Sequence, residues 1–268
     1  MNIKDITIII LLYNTPDKAL KEFVNYKKFK IAILDQSNDL QTKKKLKKIL
    51  PNIIYYKVTN QNDGFARGIN FLVKKVKTKF FLCTQPDVKI SMKSIYKLKK
   101  VFLKKKDAII SIPNLRSTKS FKHEFKEVKN FIGAIFLSEK KKFDKLKMFD
   151  PNFFFYWEDV DLSKRITLSK QKIYLNTKIS ANHNNGKSSF LNMKSLYIRT
   201  SNFKFGEYLF QYKNSQLKLI KVIREPIVNF LLLFFYIMVL NKQKALKKFF
   251  TLLGILNFFK FILIKKLK

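Results

Sequence analysis

Acid is scarce in this sequence. Of 268 residues only 18 are Asp or Glu, against 56 Lys or Arg, for a formal net charge of +38. Thiol and imidazole are scarcer still, with one cysteine, Cys83, and two histidines, His123 and His183. A single cysteine excludes an intramolecular disulfide framework and fits a reducing compartment. So few Cys and His also exclude a zinc-finger-type site. Arginine is nearly absent: five of the 56 basic residues are Arg67, Arg116, Arg165, Arg199 and Arg224, which leaves 51 lysines. Base readout and bidentate phosphate recognition favour arginine, and the lysines are scattered rather than gathered in one block. The charge therefore reads as a solvated surface and not as a nucleic-acid interface, although such a surface still attracts anionic lipids and diphosphates. No apolar run reaches the ~20 residues that cross a bilayer. No secretory signal is expected either. Ile6 to Tyr13 is short, lacks a small-residue cleavage site, and reads as a first buried strand.

What is present is a hydrophobic fraction of 47%, ample for a core. Short β-branched or aromatic runs at Ile6–Tyr13, Ile31–Leu34, Ile53–Val58, Phe80–Thr84 and Ala108–Ile112 predict strands. Helical stretches are expected between them at Lys18–Tyr26, Leu40–Leu50, Phe65–Val76 and Ser91–Leu103. This alternation predicts an α/β protein with a mostly parallel, Rossmann-like sheet flanked by helices. Ligands of such sheets bind at the carboxyl ends of the strands. Tyr13, Asp35 and Asp87 each fall at or just past a strand end and are expected in one crevice, though each alone also fits a turn or cap. Further on, Ser120–Lys129 reads as an extended excursion and Phe131–Leu137 as a strand, with Gly133 hinting at close backbone approach. A helix is expected at Ser138–Leu146, and two short strands at Ile173–Leu175 and Ile179–Ala181.

The stretch Phe153-Phe154-Phe155-Tyr156-Trp157-Glu158-Asp159-Val160-Asp161 carries three carboxylates within four positions, against an aromatic wall, in an acid-poor chain. That is how a tuned base or a metal ligand is made, and it is also how a helix begins. From Phe190 the chain reads as helical and increasingly apolar. Ile227–Leu240 has only Asn229 as a polar residue, Phe249–Ile264 contains Lys260, and lysines flank both. Two amphipathic or shallowly inserted helices at an anionic membrane face are expected. A helical cap on the core or on another subunit, or a spanning hairpin, are the other readings. Residues 1–190 and 191–268 are expected as two regions.

Taken in order, several pieces resemble the family 2 glycosyltransferases, and most of all their rhamnosyltransferase-like members. They are the strand ending in Tyr13-Asn14, Asp35-x-Ser37-x-Asp39, Asn62-x-Gly64-Phe65-Ala66-x-Gly68-x-Asn70, Leu82–Val88, Gly133-Ala134, and Phe149 to Arg165. His183 followed by Ser188 and Ser189 closes the set. The resemblance covers about residues 5–190 and implies a GT-A fold, a nucleotide-sugar donor and a divalent Mg²⁺ or Mn²⁺. By resemblance Asp159 is the general base and Glu158 steadies the site or touches the donor sugar. Tyr13 and Asp35 hold the nucleobase, and Asp39 lies near ribose and base. Gly64, Gly68 and Asn70 form a donor loop, and Arg67 can reach the diphosphate or remain solvated. Asp87 anchors the metal with His183 as a second ligand. Tyr156 and Trp157 offer an acceptor-stacking wall or simply pack in the core.

The chain departs from the pattern at Gln85, where the family carries Asn or Asp; Gln85 offers a neutral oxygen to donor or metal but no charge. The resemblance thus implies an inverting enzyme moving a sugar, such as rhamnose or another deoxyhexose, to a lipid-linked or saccharide acceptor. It would work in cell-surface polysaccharide synthesis, on the cytoplasmic face of the membrane and against anionic lipids. The alternatives are a catalytically degenerate membrane-assembly partner and a basic nucleic-acid-binding protein, the latter leaving the carboxylates unexplained.

Overall fold

The computed structural model describes residues 3–37, 39–115, 123–183 and 192–267. The expected contributions of Ser188 and Ser189, and the start of the 120–129 excursion, lie outside the described residues. The chain divides into two compact units, Met1–Asn152 with Asp159–Phe190, and Phe153–Glu158 with Leu191–Lys268.

In the first unit, β1 (Ile6–Leu12), β2 (Lys30–Asp35), β3 (Ile53–Val58) and β4 (Phe80–Thr84) run parallel in the spatial order β3-β2-β1-β4. Their connections carry the short α1 (Asp17–Lys21), α2 (Leu40–Ile49) and α3 (Phe65–Lys75). β1 is central. Ile6, Ile8, Ile9 and Ile10 are fully buried, each worth about 1.5–3 kcal/mol, and burial on both faces is why the run is continuous rather than alternating. The chain moves outward from β1 to β3 and then crosses back to β4, so a topological switch point falls between β1 and β4. In such sheets that is where ligands bind.

The remaining elements are β5 (Val88–Lys89), α4 (Met92–Lys104), β6 (Ala108–Asn114), β7 (Phe125–Val128), β8 (Ile135–Glu139), α5 (Lys140–Lys145), α6 (Glu158–Leu168), β9 (Lys172–Ser180) and β10 (Asn182–His183). The full sheet order is β3-β2-β1-β4-β8-β6-β9-β7. Three expectations need correction. The Phe131–Leu137 strand begins only at Ile135 and runs antiparallel to β4 and β6. Phe131–Ala134 instead leads into it, with a turn at Gly133-Ala134. The two short strands at 173–175 and 179–181 are one nine-residue strand, β9. Its polar middle forms a bulge rather than a break: both ladders hold Asn176, β6 resumes at Ser180, and between them the Thr177 N–H donates to Glu124 O at 2.9 Å while Thr177 Oγ1 donates to the carbonyls of His123 and Glu124. The helix expected over 18–26 is the five-residue α1 followed by a 3₁₀ segment at Glu22–Tyr26.

The second unit is built on α7 (Met193–Lys213), α8 (Leu219–Met238) and α9 (Lys242–Lys266). Phe153, Tyr208, Leu209, Ile255 and Phe258 form its core. The apolar stretches seen in the sequence at 227–240 and 249–264 are parts of these longer helices, and the two differ. α9 buries Ala245, Phe250, Gly254, Ile255 and Phe258, whereas α8 buries no residue. Among the described residues no helix is long and apolar enough to cross a membrane.

α9 approaches α7 at Gly254, where an added Cβ would collide with the Ser201 carbonyl oxygen and lie 3.0 Å from Lys204 Cβ. Alanine gains about 1 kcal/mol of helix propensity. Overpacking against backbone that cannot yield costs about 1–3 kcal/mol and occasionally more, so the collision decides the sign. Gly254→Ala is expected to lower the thermal midpoint, and Gly254→Leu to lower it further. A midpoint that rises on either change would show that the helices separate without cost.

Candidate functional site

The parallel register sets the first part of the site. Leu12 pairs with Asp35 and Ile10 with Thr84. The carboxyl ends of β2, β1 and β4, which carry Asp35, Tyr13 and the turn Gln85-Pro86-Asp87, therefore lie side by side along one edge. Asp35 is fully buried. Its Oδ1 accepts the Ser37 N–H at 3.0 Å and also the Ser37 hydroxyl, while its Oδ2 accepts from the Tyr56 hydroxyl at 3.0 Å. Burial first, then the Asp35 charge, drives the Tyr56 pKa upward, so Tyr56 stays a donor and fixes the Asp35 carboxylate. Asp39 lies on the same loop but caps α2, accepting from Gln41 N–H at 2.8 Å and Thr42 Oγ1 at 2.6 Å. The Thr42 hydroxyl is the main reason its pKa is lowered.

Gln36 is a residue the sequence reading passed over. It is buried, and both ends of its amide lack a hydrogen-bond partner. Its Nε2 lies 3.1 Å from where a Cβ on Gly68 would stand. The signal was available, because Gln36 directly follows Asp35 at the same strand end. Tyr56 was missed for a different reason: its bond to Asp35 joins two strands, and a linear sequence does not display that.

β10 pairs antiparallel with β5, which sets His183 opposite Val88 and brings His183 Nε2 to 3.6 Å from Asp87 Oδ2. Asp87 is buried, and neither of its carboxylate oxygens has a hydrogen-bond partner. A buried carboxylate without partners carries a desolvation cost that a cation would offset. Asp87 and His183 therefore fit a divalent ion. Gln85, half-buried in the same turn, is positioned by its N–H donating to Ala134 O at 2.9 Å. Among the described residues no group of three or more His, Cys, Asp or Glu gathers into a closed cage. Such a metal would need oxygens from its ligand, as Mg²⁺ sites on phosphates commonly do.

The loop at residues 62–70 is shaped by Gly64, which opens α3 at φ 84°, a backbone region that penalises any side chain. Asn62 Oδ1 accepts the Gly64 N–H at 2.9 Å. Asn70 and Arg67 reach toward the segment that leads into the acid stretch. Asn70 Nδ2 donates to Phe149 O at 2.8 Å and its Oδ1 accepts from Phe149 N at 3.1 Å. Arg67 Nε donates to Pro151 O at 3.0 Å. A cleft of about 590 Å³ beside them is lined by Arg67, Gly68 and Asn70 together with Lys57, Lys74 and Lys147. Arg165 holds the neighbouring turn: it pairs with buried Asp161 at 2.9 Å and donates to the carbonyls of Leu146 and Met148. Lys147 and Met148 there have φ of 60° and 55°. Asp161 and Arg165 are thus braces of this turn.

Asp159, in the first turn of α6, is half-buried. Its Oδ2 accepts from the Gly133 N–H at 2.9 Å and its Oδ1 from the Val160 N–H at 2.8 Å. A Cβ on Gly133 would stand 3.3 Å from Phe65 Cε1 and 3.7 Å from Asp159 Cβ, so the close approach at this glycine is to the Phe65 ring. Desolvation by the surrounding protein raises the Asp159 pKa against the lowering effect of these two amides. A raised carboxyl with a fixed orientation has the character of a general base.

In the second unit, Tyr156 and Trp157 adopt φ of 71° and 72° in succession, a costly conformation for bulky residues. Trp157 lies across Gly206 and faces Phe203 and Phe210 at 5.7 and 5.5 Å between ring centroids. Its Nε1 is buried and without a hydrogen-bond partner. Tyr156 stacks near Phe155 and Phe203. Glu158 is buried at the start of α6.

The family model for glycosyl transferase family 2 matches residues 7–166, more than half of the sequence, and the chain belongs to that family. Its fold is GT-A-like. A mannosyltransferase of Pyrobaculum calidifontis, solved with GDP-Man and Mn²⁺, is similar at TM-score 0.59 and 10% identity, over 95% of this chain and 87% of that one. GalNAc-T7, solved with UDP, GalNAc and Mn²⁺, is similar at TM-score 0.58 and 13% identity, over 78% of this chain and 50% of that one. The 1–349 fragment of S. aureus TarS gives TM-score 0.53 and 14% identity, over 93% of this chain and 90% of the fragment. The chain spans about half the length of GalNAc-T7 and of full TarS. No curated protein matches it.

Proposed function

We propose that the chain is an inverting glycosyltransferase that moves a sugar from a nucleoside-diphosphate donor to a hydroxyl of a lipid-linked or saccharide acceptor. Family membership supports the class. The observation that carries the reading is the buried carboxylate of Asp87, without hydrogen bonds and 3.6 Å from His183 Nε2, at the switch point of the sheet. Asp35, locked by Ser37 and Tyr56, offers an acceptor for an imide N–H of a base, and Tyr13 a ring beside it. Gly64, Gly68 and Arg67 form the loop toward the diphosphate, with Asn70 holding that loop to Phe149. A divalent ion held by Asp87 and His183 would neutralise charge on the departing diphosphate. Asp159 takes the acceptor hydroxyl proton as the new oxygen–carbon bond forms. The bond from the anomeric carbon to the phosphate oxygen breaks, and its electron pair leaves with the nucleoside diphosphate. One displacement with one base inverts the anomeric centre.

By the family pattern we assign Glu158 to the donor sugar and Tyr156 and Trp157 to the acceptor. We take the sugar to be rhamnose or another deoxyhexose. We assign the helical unit to the cytoplasmic membrane face; the exposed apolar face of α8 and the flanking lysines, which suit an anionic surface, support this reading.

A panel of dTDP, UDP, GDP and CDP, each with and without Mg²⁺ or Mn²⁺, tests the reading by thermal shift. One nucleotide at about 100 times its Kd, with metal, is expected to raise the midpoint by roughly 5–10 °C. Equal, salt-sensitive stabilisation by every polyanion would show that the lysines bind, not a site.

A further inference from the structure

The helical unit holds a cavity of about 590 Å³ lined by Lys204, Arg224, Glu225, Val228, Asn229 and Lys248. Its acid is already neutralised. Lys204 Nζ lies 2.6 Å from Glu207 and 3.1 Å from Glu225, and Lys221 pairs with the same two glutamates. Two lysines thus balance two glutamates. Arg224 makes no ion pair or hydrogen bond among the described residues, and Lys248 contacts only the neutral Asn229 Oδ1, at 3.2 Å. Two uncompensated cations therefore face one cavity.

The same helix offers an apolar face. Ile223, Ile227, Phe230, Leu231 and Phe234 follow helical spacing and are 52–62% exposed. Val228, which lines the cavity, is 43% exposed. Cation and apolar face thus adjoin on α8. A second copy of this chain is a poor occupant, because each copy carries +38 and like charge repels. A molecule that is anionic at one end and apolar at the other matches both features.

We infer that the Arg224–Lys248 cavity is a binding site for the phosphate headgroup of an anionic membrane phospholipid, whose acyl region meets the apolar face of α8. This rests on the membrane-surface reading given above and is independent of the sugar-transfer chemistry. It assigns α8 an interfacial position, with its polar side set by two specific cations rather than by diffuse charge.

The test is flotation of the full chain with vesicles of phosphatidylcholine alone or mixed with phosphatidylglycerol. The parent is expected to float with the mixed vesicles. Arg224→Gln/Lys248→Gln should reduce that partitioning on the order of tenfold to thirtyfold, while Lys28→Gln/Lys106→Gln, with the same loss of charge, changes it less than about twofold. Thermal melts check folding, and Arg224→Gln alone, on an exposed helix face, serves if the double variant is unstable. Equal losses in both double variants, or none in the first, overturn the headgroup site while membrane docking stands. Displacement of the parent from mixed vesicles by millimolar inorganic phosphate would make the cavity a free-anion site and overturn the lipid assignment. No flotation of the parent with either vesicle sinks membrane docking and this inference together, and leaves the nucleotide panel untouched.

Discussion

Asp159→Asn is expected to abolish sugar transfer while keeping donor binding. Removal of a positioned general base costs about 10²- to 10⁴-fold. Asparagine fills the same volume and leaves the Gly133 N–H, bonded at 2.9 Å in the parent, an oxygen to donate to. The measurement is turnover with radiolabelled donor beside calorimetry of donor binding; near-normal turnover would remove Asp159 from the role of base.

The pH profile supplies a second check on the same residue. Desolvation raises the Asp159 pKa, and a base works only when ionised. The rate should therefore fall as pH drops, with its inflection above the ordinary aspartate value of about 3.9, and the residual rate of Asp159→Asn should lack that limb. The sign for stability is opposite. A carboxyl with a raised folded-state pKa costs stability that grows as pH rises from its unfolded value to its folded value, and this cost is relieved as pH falls from the folded value to the unfolded one. Activity and stability should therefore diverge between those two points.

Asp87→Asn is expected to remove the metal-dependent part of nucleotide binding and to lower transfer by about a hundredfold or more, since a metal contributes several kcal/mol of charge stabilisation. The unliganded protein should melt no lower than the parent. Both Asp87 oxygens are buried without hydrogen-bond partners, so the carboxylate contributes desolvation cost rather than structure. Loss of function without loss of stability is the mark of a residue held for its ligand. A midpoint several degrees lower, with metal response intact, would make Asp87 a structural acid and move the cation elsewhere.

Much of the first unit was legible because its signals are local. Continuous β-branched runs separated by helical stretches predict a parallel sheet, since only strands covered on both faces can be apolar at every position. Strand ends then point to Tyr13, Asp35 and Asp87, and the flexibility of glycine to Gly64 and Gly133. The breaks that failed were read from polarity alone. Asn176-Thr177-Lys178 looks like a turn, but Asn176 pairs with both β6 and β7, the β6 ladder bulges there before resuming at Ser180, and the Thr177 and Lys178 amides donate to Glu124 O and Asn176 Oδ1. The antiparallel direction of β8 has no linear signature, since direction is a property of the partner strand.

Sequence by itself determined the family, the class of sheet, and the scarcity of acid that makes Asp87, Glu158 and Asp159 conspicuous. Tertiary structure alone decided which of these groups have partners. Tyr56 reaches Asp35 across strands, Gly133 reaches Asp159 through a turn, and His183 reaches Asp87 through a two-residue antiparallel pair. It also separated the two apolar C-terminal helices, burying one face of α9 and leaving α8 exposed. The physical reason is the same in each case. Composition and spacing fix what a residue prefers, whereas desolvation and hydrogen bonding depend on neighbours that only the folded chain brings within a few ångströms.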